Sequence, residues 1–311
     1  MKKILLAVAV SVAAGSANAA TVYDANGLTY KVNGDFQIQL RKKIGDDTSE
    51  YVDFDDLEIK NYISYDLGGD LAAFGRVDFD FKDQANGKDN VTPLEEAYVG
   101  LRYGVTSFSF GKQNFASDEF GVEEAYEAPL DEDRFDGVDT DGDDTFRVDV
   151  ELDNVYLVSS YELEAEDKDG ITGEFFDIFA FTDIAGLSLG GGYQKHTPLV
   201  GDSLDTWGLS AGYDFGIFGL AADYSVTDDS NTDLDTALYN VAATFDVTST
   251  TGIAIGMQNE EEDNADDITA WYANVTYKFP AQKNVSVFAE VADNDVDETD
   301  MGFLAGMRVK F

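Results

Sequence analysis

The chain has 311 residues, with 62 acidic and 20 basic side chains and a formal net charge of −42. A field of this sign repels nucleic acid and anionic headgroups, which argues against both as partners. There is no cysteine, so an exported form must be stabilised by a core or a closed sheet rather than by disulfides. After the N-terminal segment, no apolar stretch approaches the ~20 residues of a transmembrane helix. The chain therefore either stays soluble or crosses a bilayer as a closed barrel.

The N-terminus has the pattern of an export signal. Lys2 and Lys3 precede an apolar run over 4–14, which is too short for a membrane-spanning helix. Ala17 and Ala19 then flank Asn18 in a small-x-small cleavage pattern. We therefore predict a signal peptide at 1–19 and a single mature domain at 20–311.

The mature chain alternates polar and apolar residues with a period of two. Near its start, Phe36 and Ile38 alternate with Gln37 and Gln39. This alternation places one apolar and one polar face on a strand. We predict sixteen such strands, at 28–43, 51–67, 70–84, 92–104, 106–114, 145–151, 153–165, 173–183, 187–196, 206–215, 217–227, 236–247, 251–260, 267–279, 284–293 and 300–311.

The connections alternate between short turns and long acidic loops, which is typical of outer-membrane barrels with an even number of strands. A soluble β-sandwich also alternates its faces. The export signal, apolar faces that run the length of ~10-residue segments, and aromatic residues near segment ends favour the barrel. The predicted fold class is all-β, a 16-stranded antiparallel transmembrane β-barrel.

Four stretches resemble the trimeric general porins of Gram-negative bacteria. They are the mature start at 20–27, segments 70–79 and 97–112, and the end at 306–311 with its terminal Phe311. Between about 160 and 295 the resemblance is architectural only. The resemblance implies a homotrimer in outer-membrane lipid and a water-filled channel for small hydrophilic solutes and ions. It also implies that the barrel-insertion machinery recognises the C-terminus.

The resemblance also implies that the loop after the fifth strand folds inward and constricts the pore. Here that loop spans about 115–144, the longest connection in the chain, and helical spacing predicts a short helix at 119–128. Its predicted constriction residues are Glu132, Asp133, Arg134, Asp136 and Asp139.

The polar strand faces supply candidates for the pore wall. Alternation predicts an inward position for most of them, whereas the position of Arg147 follows from the resemblance. For Glu95 the two arguments disagree, because alternation sends it outward and the family match sends it inward. The resemblance places Lys112 at a subunit interface. The wall candidates are Asp35, Arg41, Asp56, Glu58, Arg76, Asp78, Glu95 and Arg147.

Acids occupy several positions where the family carries bases, so we predict a cation-preferring diffusion pore. Neutralising Asp133, Asp136 and Asp139 should then reduce the preference. The alternative is a substrate-specific channel for sugars or oligosaccharides, which an aromatic ladder in the lumen would mark. Few aromatic residues point inward; Phe74, Tyr272 and Phe288 do. A surface adhesin or phage receptor is a third, lesser interpretation.

An enzyme is not predicted, because the single histidine, His196, has no nucleophile motif beside it. The acidic run 139–144 resembles a fragment of a calcium loop but lacks the later glutamate. We predict no cofactor and assign no metal ligands, and leave open a divalent cation on the acidic loops.

Overall fold

The computed structural model describes residues 20–88, 92–164, 166–167, 170–171, 173–232 and 234–311. The predicted signal peptide at 1–19 lies outside these residues. Within the described part of the chain, no helix has the length and apolar character needed to cross a membrane. The longest elements are strands.

Nineteen strands, one short α-helix, α1 (Lys82–Ala85), and one 3-10 helix (Ala116–Glu119) make up the regular structure of the described residues. The strands are β1 (Ala20–Ala25), β2 (Leu28–Lys42), β3 (Tyr51–Gly68), β4 (Leu71–Asp80), β5 (Leu94–Tyr103), β6 (Thr106–Asn114), β7 (Asp141–Glu151), β8 (Val155–Glu162), β9 (Glu166–Asp167), β10 (Gly170–Ile171), β11 (Glu174–Ile184), β12 (Leu187–Thr197), β13 (Leu204–Asp214), β14 (Phe218–Asp229), β15 (Leu234–Asp246), β16 (Thr251–Glu262), β17 (Ile268–Phe279), β18 (Gln282–Asn294) and β19 (Gly302–Lys310).

Sixteen strands, β2 to β8 and β11 to β19, form a closed antiparallel barrel. Each pairs with its neighbours in the chain, β8 pairs with β11 across the β9–β10 hairpin, and β19 pairs with β2 to close the ring. Closure gives every strand two partners and leaves no sheet edge. The predicted barrel and its strand number are confirmed, and predicted strand ends differ from those observed by up to four residues.

Strand β1 and the C-terminal Phe311 meet on β2, and sequence reasoning missed this arrangement. Strand β1 forms a hairpin with the start of β2, pairing Ala20 with Val32. Just beyond, Phe311 exchanges both backbone hydrogen bonds with Gly34, at 2.9 and 3.0 Å. Its ring covers Gly34, where a Cβ would come within 2.2 Å of it, and packs edge-on against Phe36. Recognition of Phe311 by the insertion machinery stays a prediction.

The barrel is inverted relative to a soluble protein, because its polar face is the buried one. On β2, Gln37 is 1% exposed, whereas Ile38 beside it is 40% exposed on the outer face. The same alternation continues around the ring, where exposed large apolar side chains include Leu209, Val99 and Phe110. An apolar outer surface of this extent fits the hydrocarbon layer of a bilayer.

Two β-bulges alter the simple alternation on the inner wall. A register shift after Gln37 leaves an extra residue on β3, so that Asp55 also points inward and accepts a hydrogen bond of 2.5 Å from Gln37 Nε2. A second shift, between β4 and β5, leaves Glu95 unpaired in the ladder. The carboxylate of Glu95 lies inside with those of Glu58 and Asp80, all within 4.8 Å of one another. The bulge settles the orientation of Glu95 in favour of the family match.

We expect an arginine at Leu209 to destabilise the inserted barrel by ~2–4 kcal/mol, because this outward residue lies midway along β13 and a charge there would sit in hydrocarbon. Leu209 is 61% exposed, so its side chain supports little internal packing. Denaturant unfolding in lipid vesicles measures the change. Val200→Arg, at a 91% exposed position in the β12–β13 connection, should cost much less; equal costs for the two variants would contradict the assignment of the outer face.

Candidate functional site: the lumen and its inner loop

Residues 115–140, here called the inner loop, leave β6 and run along the inside of the barrel before entering β7. The loop starts with a 3-10 helix, Ala116–Glu119. The backbone N–H of Ala116 donates to Ser160 Oγ on β8 at 3.0 Å, and that of Ser117 donates to the Asp177 carboxylate on β11 at 2.9 Å. Side chains of the wall thus hold the root of the loop.

The next part of the loop is extended, and the helix predicted at 119–128 does not form. Its backbone N–H groups bond to wall side chains instead of to carbonyls four residues earlier. Val122 N–H donates to Asp223 at 2.9 Å, Glu124 N–H to the Tyr272 hydroxyl at 2.8 Å, and Tyr126 N–H to Glu290 at 2.7 Å. The wall therefore supplies the acceptors that a helix would have provided internally.

The loop reaches β2 at Glu127 and then turns back. The Glu127 carboxylate lies 2.6 Å from both Arg41 Nη1 and Gln39 Nε2. On the return, Leu130 N–H donates to Gln258 on β16 and Arg134 N–H to Ser225 on β14. Wall side chains that bond to the loop lie on β2, β7, β8, β11, β12 and β14 to β18. The inner faces of β3, β4 and β5 belong to the arc of wall between β2 and β7.

An apolar cluster inside the barrel fixes the loop to the wall. It consists of Ala116, Phe120, Phe135, Tyr156, Val158, Phe179 and Phe181, all buried. The Phe135 ring lies 5.0 Å from Phe120 and 4.9 Å from Phe179, centroid to centroid. Gly208 leaves room for it, because a Cβ there would come within 2.9 Å of both loop rings. Sequence reasoning missed this cluster, whose only signal was the presence of three phenylalanines, Phe115, Phe120 and Phe135, within an acidic loop.

Two of the three predicted inward aromatic residues also hold the loop. Tyr272 is 2% exposed, and its hydroxyl accepts the hydrogen bond from Glu124. The Phe288 ring stacks on Tyr126 at 3.8 Å. Both rings are inward as predicted, but the loop covers them. Only Phe74 belongs to a part of the wall that the loop anchors do not reach.

Each of the three predicted wall arginines is paired with acids. Arg41 lies 3.2 Å from Asp53 in addition to its contact with Glu127. Arg76 Nε lies 2.5 Å from Asp78 and 2.8 Å from Glu96. Arg147 Nη2 lies 2.7 Å from Glu119 on the loop and 3.1 Å from Asp149. Their positive charge is thus compensated locally.

The predicted acidic wall residues also face inward, where they meet bases from neighbouring strands. Asp35 lies 2.5 Å from Arg308 and 3.0 Å from Lys310, and Arg308 also lies 3.0 Å from Asp56. The Glu58 carboxylate lies 2.6 Å from Lys60. Sequence reasoning did not identify Arg308, because the last strand was matched to the family only by its end pattern.

The predicted loop acids fall into two groups. Glu132, Asp136 and Asp139 are exposed to the lumen. Asp133 is 4% exposed, and its carboxylate accepts hydrogen bonds from the N–H groups of Phe135 and Asp136. Burial raises the pKa of Asp133 to about 8, well above the usual value of an aspartate. The prediction that Asp133 faces the pore is therefore wrong; it shapes a turn of the loop.

Asp118, which sequence reasoning missed, is a further exposed loop acid. It lies in the 3-10 helix and accepts a hydrogen bond of 2.6 Å from Asn114. It borders a cavity shared with Arg76, Glu95 and Arg147. Arg134, by contrast, turns to the wall and lies 3.1 Å from Glu260 on β16.

The remaining candidates lie away from the lumen centre. Lys112 pairs with Ala97 on the outer face of the β5–β6 ladder and lies 2.5 Å from Asp143. His196 stacks on Phe175 at 4.0 Å within the wall. The run 139–144 does not form a calcium loop, because β7 already begins at Asp141 and its residues pair with β6.

Removing the Phe135 ring should release the inner loop. Phe135 is fully buried, and a Phe→Ala change at such a position costs ~3–5 kcal/mol of packing. Phe135→Ala should therefore give a larger or fluctuating single-channel conductance in planar bilayers. The matched change Phe176→Ala, at a 41% exposed position on the outer face of β11, should leave conductance unchanged. A steady conductance equal to the parent's in Phe135→Ala would contradict the anchoring role of the apolar cluster.

Comparison with known proteins matches nearly the whole chain to one family. Residues 6–299 match the family model described as Gram-negative porin. The porin-like protein H of Photobacterium profundum is 26% identical in an alignment 338 positions long, which covers 100% of both chains.

Solved structures with this barrel support the fold. The trimer form of OmpT, an outer membrane protein of Vibrio cholerae, superposes with a TM-score of 0.77 at 20% identity over 92% of this chain and 100% of that one. An anion-selective porin from Comamonas acidovorans superposes with a TM-score of 0.78 at 13% identity, over 91% of this chain and 100% of that one. The fold alone therefore does not determine which ions pass.

Proposed function

Because this chain belongs to the Gram-negative porin family and is an outer-membrane β-barrel, we propose that it forms a water-filled channel for the passive diffusion of small hydrophilic solutes and prefers cations. The inner loop sets the narrow part of this channel. The passage runs between the loop and the inner faces of β3, β4 and β5. Family membership indicates a channel rather than an enzyme.

The observation that carries the ion preference is an imbalance of unpaired charge. The wall arginines Arg41, Arg76 and Arg147 each lie within 4 Å of two carboxylates. Four exposed loop acids make no ion pair with any described residue; they are Asp118, Glu132, Asp136 and Asp139. The loop therefore presents net negative charge to passing ions.

The effect of each acid on ion permeability is modest, but the effects of several acids add. Two unit charges ~8 Å apart interact by ~0.5 kcal/mol at the permittivity of water, and more strongly beside a low-dielectric wall. An energy of ~0.5 kcal/mol changes a permeability ratio by about twofold. Several such acids are sufficient for a clear preference, without excluding anions.

The alternative, a channel dedicated to sugars, has less support. An aromatic ladder would have to run along the passage. Tyr272 and Phe288 are both covered by the inner loop, and the inward rings of β3 to β5, which are Tyr62, Phe74 and Tyr98, form a single patch. A diffusion channel needs no such ladder, and its selectivity follows from bore and charge.

A salt gradient across a planar bilayer tests the ion preference. We expect a reversal potential that shows cations to be more permeant. Combining Asp118→Asn, Asp136→Asn and Asp139→Asn should lower the cation-to-anion permeability ratio at least about twofold. Asp133→Asn is the matched control, because this buried acid should change the ratio little. An anion preference in the parent protein would refute the proposal.

We further propose a homotrimer, the assembly named for the Vibrio cholerae relative. The outer face near Lys112 carries Phe108, Phe110 and Phe146, whose rings lie 6.2 to 6.5 Å apart. Rings of this kind suit a packed interface. Sedimentation equilibrium in density-matched detergent should give the mass of three chains, and a single chain would contradict the trimer.

A further inference from the structure

An aromatic patch lies on the wall that the inner loop leaves uncovered. Tyr62 on β3, Phe74 on β4 and Tyr98 on β5 occupy neighbouring inward positions. The Tyr62 and Phe74 rings stack with centroids 6.2 Å apart, and Tyr98 meets Phe74 edge-on at 6.4 Å. With Arg102 these residues form what we call the aromatic alcove.

The backbone around Phe74 is shaped to lay its ring across the neighbouring strand. Phe74 pairs with Gly100 in the β4–β5 register, and a Cβ on Gly100 would come within 2.4 Å of the ring. Such a Cβ would also come within 2.4 Å of the backbone oxygen of Phe108, so no side chain fits at position 100. The glycine thus keeps the ring against the wall, with space in front of it.

Arg102 provides the charge of the alcove. It occupies the inward position on β5 that follows Gly100, closer to the short turn between β5 and β6. Its guanidinium interacts electrostatically with Tyr62. It is half-buried and makes no ion pair with any described residue. This distinguishes it from Arg76 and Arg147, which border the same cavity but are compensated by carboxylates.

The cavity bordered by Phe74, Tyr98 and Arg102 has a volume of about 210 Å³. Its wall also carries carboxylates, of which Glu96, Glu119 and Asp149 pair with Arg76 or Arg147, whereas Glu95 and Asp118 make no ion pair with any described residue. At ~30 Å³ for each water, the cavity holds about seven waters. That space is large enough for a single six-membered ring with one substituent, and smaller solutes also fit.

We propose that the aromatic alcove is a binding subsite for a small aromatic carboxylate. The ring of the solute packs against Phe74 and Tyr98, which border the cavity and favour offset or edge-on contact with another ring. Its carboxylate accepts paired hydrogen bonds from the Arg102 guanidinium, whose planar donors match a carboxylate. The subsite rests on the lumen being open, as in the proposed function, and adds a solute preference to it.

Benzoate is the probe, added to the full-length protein in planar bilayers while single-channel current is recorded. We expect transient blocks whose frequency rises with benzoate concentration. We expect block at least about tenfold weaker from each of three control solutes. Acetate has only the charge, benzyl alcohol has only the ring, and glucose has neither. Equal block by acetate or by glucose would overturn the proposal.

Variants separate the two halves of the subsite. Arg102→Gln and Phe74→Leu should each weaken benzoate block about tenfold, since the first removes the charge and the second the aromatic face. Lys283→Gln is the matched control, because it removes one positive charge that lines a different cavity. Unchanged block in both alcove variants would overturn the subsite. Absence of any conductance step would instead count against the channel itself.

Discussion

The whole structure depends on the requirement that every backbone N–H and C=O within a bilayer has a partner. A strand satisfies this requirement only when both of its edges are paired. The pairing of β19 with β2 closes the ring, and Phe311 and β1 complete the ladder on the remaining part of β2. Because the ring is closed, side chains divide into an outer and an inner set, and all further features of the lumen follow from that division.

The inner loop shows how a polar lumen can hold a segment in place without regular secondary structure. Wall carboxylates and hydroxyls accept its backbone N–H groups, as Asp177, Asp223 and Glu290 do. The aromatic cluster around Phe135 adds apolar packing in a compartment that otherwise holds polar groups. These two kinds of contact together explain why so acidic a loop stays against so acidic a wall.

The charge of the lumen is organised by pairing rather than by separating acids from bases. Arg41, Arg76 and Arg147 are each compensated by carboxylates. What passing ions meet is therefore the uncompensated remainder. It includes the exposed acids on the loop, wall carboxylates such as Asp55 and Glu95 that make no ion pair with any described residue, and the guanidinium of Arg102 toward the short turns. This remainder is the basis of the proposed cation preference and of the proposed subsite.

The sequence by itself determined the barrel. Its two-residue period fixed the faces of strands such as β2, and the resemblance identified the loop at 115–144. The period could not locate bulges, because each bulge shifts the register by one residue. The inward position of Asp55 was therefore missed, and that of Glu95 was left open.

Only the tertiary structure decided which acids meet the lumen. Asp133 and Asp136 look alike in the sequence, yet the first is buried in a turn and the second is exposed. The expected helix at 119–128 failed for the same reason, since distant wall side chains such as Asp223 and Tyr272 bind the N–H groups it needed. Such partners lie far along the chain, and only ring closure brings them to the loop.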